Sequence, residues 1–405
     1  MTSVVARRCW HQCWGLGRAL ALLSLATALL LRSAVATPRH MAPTGVIAYS
    51  QAVDVDEPAG QGRAVAVPFS LRRSQRVGYD LFLCRIPGGK PVQLTDHRRS
   101  HDLGAVISNI AFDKTGMFVA FLASRKGYEA TISPRLLWLL NLHTRTYSLV
   151  RLPGAVTGYS WAPVGLLMAV DVRMKNENKT LLLNAKTRHW KTLFGDRQHT
   201  RLWNWMGNNS LVYEDETRHS LLKRSIRTGR VLAQWFEPAS LTSLALFPAP
   251  DGQHVLIQTK GAFYLAAPGH PFKRAFSTTT LSELVWSPDS RHVFLHTFSS
   301  FPSGAEANEL PTGTDHSIAL WDRPQRRWQR TLLSWTDSVI SPWRYEILAC
   351  SHNNHWLLVA HNPSQSNSYM PEVYAYYLGA HESTKLFQTP APIISIDWHE
   401  VTMKQ

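Results

Sequence analysis

Apolar and polar positions along the chain fall into a short unit that recurs. In LVWSPDSRHVFLHT, Leu284–Thr297, an apolar run ending in Trp286 meets a Pro-Asp turn, and a second apolar run leaves it. Two apolar runs around a tight polar turn predict an antiparallel hairpin. Related stretches stand about 40 to 50 residues apart, the spacing of propeller blades. They begin at Ile107 (ISNIAFDKTGMFVAFLA), Val156 (VTGYSWAPVGLLMAVDV), Thr200 (TRLWNWMGNNSLVYED), Leu241 (LTSLALFPAPDGQHVLIQT) and Tyr345 (YEILACSHNNHWLLVAH). Phe112, Trp161, Trp205 and Phe247 stand where Trp286 stands, and each offers a large ring to pack between sheets. Cys350 takes that place in the last unit.

A second pair of short strands follows each hairpin, as in LLWLLNLHTRTYSLVRL from Leu136, LLLNAKTRHWKTLF from Leu181 and SIALWDRPQRRWQRTLLS from Ser317. Four strands per unit, with even turns and no amphipathic helix, predict an all-β propeller. The first unit lacks an inner strand: Val46–Ser50, Tyr79–Arg85 and Pro91–Thr95 supply three strands only. Ile393–Trp398 (IISIDW) repeats the inner pattern at the other end of the chain. The expected fold is therefore a seven-bladed β-propeller closed by the C-terminal strand, with six or eight blades as the alternative counts. Closure of this kind leaves no sheet edge exposed between first and last blades.

The hairpins WSPDSRHV, APDGQHV and FDKTGMFV, together with YDLFLCRIPGGKPVQLTDH, resemble the repeats of TolB-like β-propellers over Gly45 to His399. Leu320–Asp322 (LWD) is similar to the signature of WD-repeat propellers, in one blade only. The resemblance implies a propeller fold and names no function. The sequence departs from TolB in leaving no room between Ala36 and Gly45 for an amino-terminal α/β domain, and in counting seven blades where TolB has six.

Charge and the amino terminus add location. Residues 1–36 hold Arg7, Arg8, Arg18 and Arg32 and no acid, followed by an apolar core, Ala19–Leu31, and a small-x-small site, Ala34–Ala36. That layout is a secretory signal peptide, and its core is shorter than the ~20 residues that span a bilayer. The expected organisation is a signal peptide over 1–36, a linker over 37–44 and the propeller over 45–405. A periplasmic or secreted location follows, with anchoring by an uncleaved leader as the alternative. Of a formal charge of +15, about +11 remains without the leader. That surplus suits solvated surface turns or an acidic partner. Beyond the leader only Cys84 and Cys350 remain, too few for a disulfide-built fold, and both are expected free.

Few motifs carry chemistry. Gly158–Ala162 is close to a nucleophile elbow, but Trp161 is the inner-strand aromatic of blade three and no α/β sheet is available to hold an elbow. His352 and His355 fall in a hairpin turn and His361 beyond the outgoing strand, so three histidines do not converge as ligands. Asp113, Asp251 and Asp289 open the same turns, where a carboxylate accepts backbone N–H groups. No cofactor or metal is expected. Asn178-Lys179-Thr180 and Asn208-Asn209-Ser210 are glycosylation acceptors in a eukaryotic host only.

Loop lengths point to function. The connections between strands two and three are long in blade one (Gln51–Gly78), blade two (Ser124–Pro134), blade six (Phe298–Asp315) and blade seven (Asn362–Pro371), all on one face. Such loops on a rigid scaffold are where binding sits. The candidate partner-binding residues are Tyr128, Glu129, Glu306, Glu309, Asp315 and Tyr369. The opposite face collects basic outer turns at Lys90, Arg145, Arg188, Arg227, Arg230, Lys273, Arg323, Arg326 and Arg327. The sequence is read as a monomeric, non-catalytic scaffold for a protein or envelope polymer, an acidic one included, without specific nucleic-acid binding and with membrane contact only through an uncleaved leader. The alternative is a lyase-, cyclase- or hydrolase-like propeller enzyme with its site at the channel mouth.

Overall fold

The computed structural model describes residues 43–54, 77–96, 103–125, 135–175, 177–194, 200–215, 220–236, 245–260, 262–268, 270–277, 283–301, 313–337, 346–351, 354–361, 372–379, 382–389 and 393–400. These form seven four-stranded antiparallel sheets, the blades of a propeller. Blade two runs outward through Leu103–Phe112, Phe118–Arg125, Leu136–Asn141 and Thr146–Leu149, and blades three to seven repeat this order. Blade one differs: its innermost strand is Ile393–Glu400, which pairs with Gly45–Asp54 through Val46↔His399 and Ser50↔Ser395. The ring closes through the C-terminal strand, as the lone inner pattern predicts. Gly45 sits so close to this strand that a Cβ there would collide with the Trp398 indole and the His399 carbonyl.

Seven buried clusters, one at each seam between neighbouring blades, make up the core. Because each blade is covered on both sides, a second strand is apolar on both faces rather than alternating. In blade two, Phe118, Ala120 and Leu122 pack toward blade three, while Val119, Phe121 and Ala123 pack toward blade one. Outermost strands carry no such burden. Thr146–Leu149 and Glu382–Gln388 are mostly exposed.

The inner-strand aromatics work as expected, with one correction. Trp161, Trp205 and Trp286 each pack against the preceding blade and donate the indole N–H to one of its carbonyls, at 3.0 Å to Ala111, 2.9 Å to Ser160 and 2.9 Å to Phe247. Register gives Pro248, not Phe247, the place that Trp286 holds in blade six: Pro248 faces Val255 as Trp286 faces Val293. Phe247 therefore lies on the other face of its sheet, packed with Phe263 at the seam with blade six. At the seam between blades four and five, where blade five offers no indole, Asn204 of blade four donates instead to the Leu246 carbonyl at 3.1 Å.

The strands also run further than the sequence suggests. In blade six, Phe298–Phe301 pair with Gly313–His316, so the connection is 302–312 rather than Phe298–Asp315. In blade one, Ala52–Asp54 pair with Val77–Tyr79, leaving 55–76. In both, the hairpin extends beyond the end of the innermost strand. Among the described residues both cysteines are free, Cys84 buried and Cys350 only half-buried.

Candidate functional site

Each blade sends the connection between its strands two and three to one face, the loop face, and its two hairpin turns to the other, the turn face. With blade seven closed on blade one, the long connections 55–76, 126–134, 302–312 and 362–371 belong to blades one, two, six and seven, four consecutive blades. Blades three, four and five connect strands two and three through only a few residues, at 174–177, 216–219 and 259–261. The long loops thus occupy one arc of the loop face. Of the residues that the sequence singles out, Tyr128, Glu129, Glu306, Glu309 and Tyr369 lie outside the described residues. Asp315 lies in the strand Gly313–Asp322, paired with Ser299 and Thr336.

Beneath the loop face, polar side chains anchor the strand ends. In blade one, Asp80 is fully buried and accepts from the Thr95 hydroxyl at 2.9 Å and the Gln93 amide at 3.1 Å. Asp171 of blade three accepts from the Thr180 hydroxyl and, across the seam, the Trp203 indole, both at 2.6 Å. Burial pushes the Asp171 carboxyl above its usual range, against the pull of those two hydrogen bonds. Glu372 of blade seven receives the Tyr374 hydroxyl at 2.5 Å and the Lys385 ammonium. These carboxylates fix the points from which the connections leave.

A second polar group lines the axis, and the sequence reading passed it over. The innermost strand of blade two carries a bulge: Ser108 faces Leu122 and Ala111 faces Ala120, so Asn109 and Ile110 together oppose Phe121. Asn109 has a φ of 50°, the left-handed conformation that asparagine tolerates. The bulge frees backbone groups for the neighbouring blades. Ile110 donates its N–H to the Ser395 hydroxyl at 2.8 Å, Phe112 donates its N–H to the Asp397 carboxylate at 2.6 Å, and the Tyr159 hydroxyl reaches the Asn109 and Ala120 carbonyls. Burial pushes Asp397 up to about 6, opposed by the Phe112 and Trp398 N–H groups and by Lys114. Burial, with Asp397 nearby, raises the Tyr159 phenol well above its ordinary value. Only a non-local pairing brings these residues together, and hairpin periodicity carries no trace of it.

The turn face has its own order. Asp113, Asp251 and Asp289 cap their turns, accepting from Phe118, Gln253 and Arg291 N–H groups at 2.6, 2.9 and 3.0 Å. In the outer turns, Asn141 and Asn184 accept from the N–H groups two and three residues on. Arg145, Arg188 and Arg326 then occupy the left-handed position, at φ 55°, 63° and 51°, where blade four has Gly229. A side chain there costs about 1 kcal/mol that glycine avoids. Not every arginine is free: Arg323 pairs with Asp251 at 3.5 Å, and Arg188 donates to the Ser148 hydroxyl at 2.7 Å. Ser160, in the elbow-like stretch, lies on the innermost strand Ala155–Trp161, and its carbonyl accepts from Trp205. His355 is exposed in a turn and His361 ends the strand Trp356–His361, while His352 lies outside the described residues.

No protein-family model matches the chain, and no curated protein does. Solved structures match in fold. A putative 6-phosphogluconolactonase from Bacteroides uniformis aligns with a TM-score of 0.50 at 12% identity, over 88% of this chain and 99% of that one. TolB from Acinetobacter baumannii aligns at 0.46 and 15% identity over 87% of this chain, which spans 66% of the TolB chain. The Swd1 β-propeller domain from Myceliophteria thermophila aligns at 0.46 and 12% identity, over 73% of this chain and 88% of that domain. The likeness is one of fold alone.

Proposed function

We propose that the protein is an exported binding scaffold that engages a macromolecular partner through the loop-face arc of blades six, seven, one and two, and that it catalyses no reaction. The observation that carries this reading is the clustering of the four long connections on four consecutive blades, above strand ends pinned by Asp80 and Glu372. A rigid ring with long loops on one arc suits a large, shaped partner, because the scaffold holds the loops without ordering cost in the blades. Tyr128 and Tyr369 are the proposed aromatic anchors, with Glu129, Glu306, Glu309 and Asp315 as polar contacts around them. The partner is a protein or an envelope polymer, and the protein acts as a monomer in the periplasm or outside the cell.

A pull-down from the native cell fraction with the full chain tests this. Replacing 302–312 or 126–134 by a short Gly-Ser turn is expected to abolish capture, while the same replacement of 216–219 in blade four leaves it intact. Capture that survives both arc replacements overturns the reading.

One observation favours a second reading. Asp397, pushed up to about 6, sits with Tyr159 at the axis, where a propeller enzyme of the lyase, cyclase or hydrolase kind would hold an acid or base. An activity found on any substrate class and lost in Asp397→Asn at unchanged stability would favour that reading.

A further inference from the structure

Large apolar side chains that remain strongly exposed are unevenly placed. Among the described residues they all belong to blades one to four, and all but Leu149 lie within two residues of a turn on the turn face. Met117 and Val164 tip the inner turns of blades two and three, Val92 and Trp190 follow the outer turns of blades one and three, and Val231 and Leu232 follow that of blade four. Trp190 is 41% and Leu232 57% exposed. Cations stand in the same sector: Lys114, Lys186 and Arg227 are exposed in turns that carry these groups, and Arg145 is exposed in the outer turn of blade two. The acid in the described turns of this sector is Asp113, which is fully buried and caps its own turn. Nearby Glu400 is half-buried at the end of the innermost strand. Exposed turn acids do occur around the rest of the ring, at Asp251 and Asp289 in blades five and six.

From this we infer that the turn face of blades one to four docks on an anionic lipid bilayer. The apolar groups are separate tips on four blades, spaced by cations, not one groove. A partner protein needs a contiguous packed core in its interface, whereas a bilayer interface accepts scattered tips, with apolar groups at the acyl boundary and cations at the headgroups. Tryptophan is suited to that depth, since its ring is apolar and its N–H is not. Of the three arginines held in the left-handed conformation, Arg145 and the half-buried Arg188, which donates to Ser148, belong to this sector, at positions where Gly229 shows that glycine fits. Contact on this face turns the loop face toward the solvent, so the inference stands independently of the partner proposed for that arc.

Flotation of the full chain with vesicles of phosphatidylcholine, with and without phosphatidylglycerol, tests this. Any binding through residues 1–42 is shared by all variants and cancels in their comparison. The wild type is expected to prefer phosphatidylglycerol vesicles, and added salt to remove the preference. Arg145→Ser with Lys186→Ser and Arg227→Ser is expected to weaken that binding about 100-fold, at about fivefold per cation. Arg135→Ser with Arg173→Ser and Lys175→Ser, the same charge change on exposed loop-face positions, is expected to leave it nearly unchanged. Trp190→Ser with Leu232→Ser is expected to cost roughly tenfold. All three variants change surface residues, and matched thermal melts confirm that they fold. The inference is overturned if the wild type ignores the anionic lipid, or if the two charge variants weaken binding equally. It is also overturned if Trp190→Ser with Leu232→Ser binds vesicles as the wild type does; an acidic protein partner is then the reading left.

Discussion

Asp397, on the innermost strand that closes the ring, accepts the backbone N–H of Phe112 on the next blade at 2.6 Å, across 285 positions of sequence. Two residues earlier, Ser395 does the same for Ile110 at 2.8 Å. The C-terminal strand therefore completes blade one by pairing and also fastens blade one to blade two by side chains. A strand that does both is a keystone for two sheets.

Deleting residues 391–405 removes the innermost strand of blade one and the acceptors of Ile110 and Phe112 together. Blade one is left with an exposed edge and blade two with two unsatisfied N–H groups. The expected loss is several kcal/mol, enough to unfold a domain of ordinary stability. Circular dichroism melts check it: a truncated chain that melts cooperatively at the wild-type temperature contradicts the role assigned to this strand.

The Asp397 carboxyl sets a pH dependence of unusual sign. Its pKa in the fold, about 6, lies above the ordinary carboxylate value of the unfolded chain. The folded state thus holds a proton that the unfolded state releases, and this group's contribution is full below about pH 4. It is lost as pH rises through about 4 to 6, on the order of 3 kcal/mol in all. Asp397→Asn keeps an acceptor for Phe112 and removes the titration. Urea unfolding should show the variant gaining on the wild type between pH 4 and pH 7; parallel curves would remove Asp397 from the account.

The indole bridges between blades are testable one at a time. Trp205→Phe keeps a ring in the seam but strips the Ser160 carbonyl of its donor, and Trp286→Phe does so for Phe247. Each is expected to cost about 1–3 kcal/mol in chemical denaturation. Trp190→Phe, at an exposed position, is expected to cost almost nothing.

The thiols of Cys84 and Cys350 should be quiet in the folded protein. Burial raises the Cys84 thiol and pushes Cys350 up to about 12, so at pH 8 neither presents much thiolate. Iodoacetamide is expected to label neither in native buffer and both in denaturant without reductant. Native labelling of Cys350 would show that its half-buried position is enough for reaction.

The blades were legible because the inner hairpins write a local pattern, an apolar strand, a short polar turn and a second apolar strand, with a capping aspartate at the turn in blades two, five and six. Ile393–Trp398 was legible for the same reason, as one inner strand without a partner. Registers that depend on a single offset are less legible: Phe247 offers the ring, but Pro248 holds the position of Trp286, and Phe247 packs toward blade six instead. The length of the blade-six hairpin was hidden by Ser299, Ser300 and Thr314, polar residues that read as loop and pair as strand. The axial group was invisible in advance. Asn109, Tyr159, Ser395 and Asp397 come from three blades and share no motif, and only ring closure makes them neighbours. Nor could the sequence show that the four long connections are consecutive, because that too depends on blade seven meeting blade one.

The pairing of Ile393–Glu400 with Gly45–Asp54 also sets a clock on biosynthesis. A chain made from its amino end exposes the unpaired edge of Gly45–Asp54 while blades two to seven are still being translated, and the strand that covers it appears only after all of them. During that interval the incomplete first blade is an open template for another chain's strand. Cells that make this protein must either shield that edge or fold the remaining blades quickly enough that the final strand finds it first.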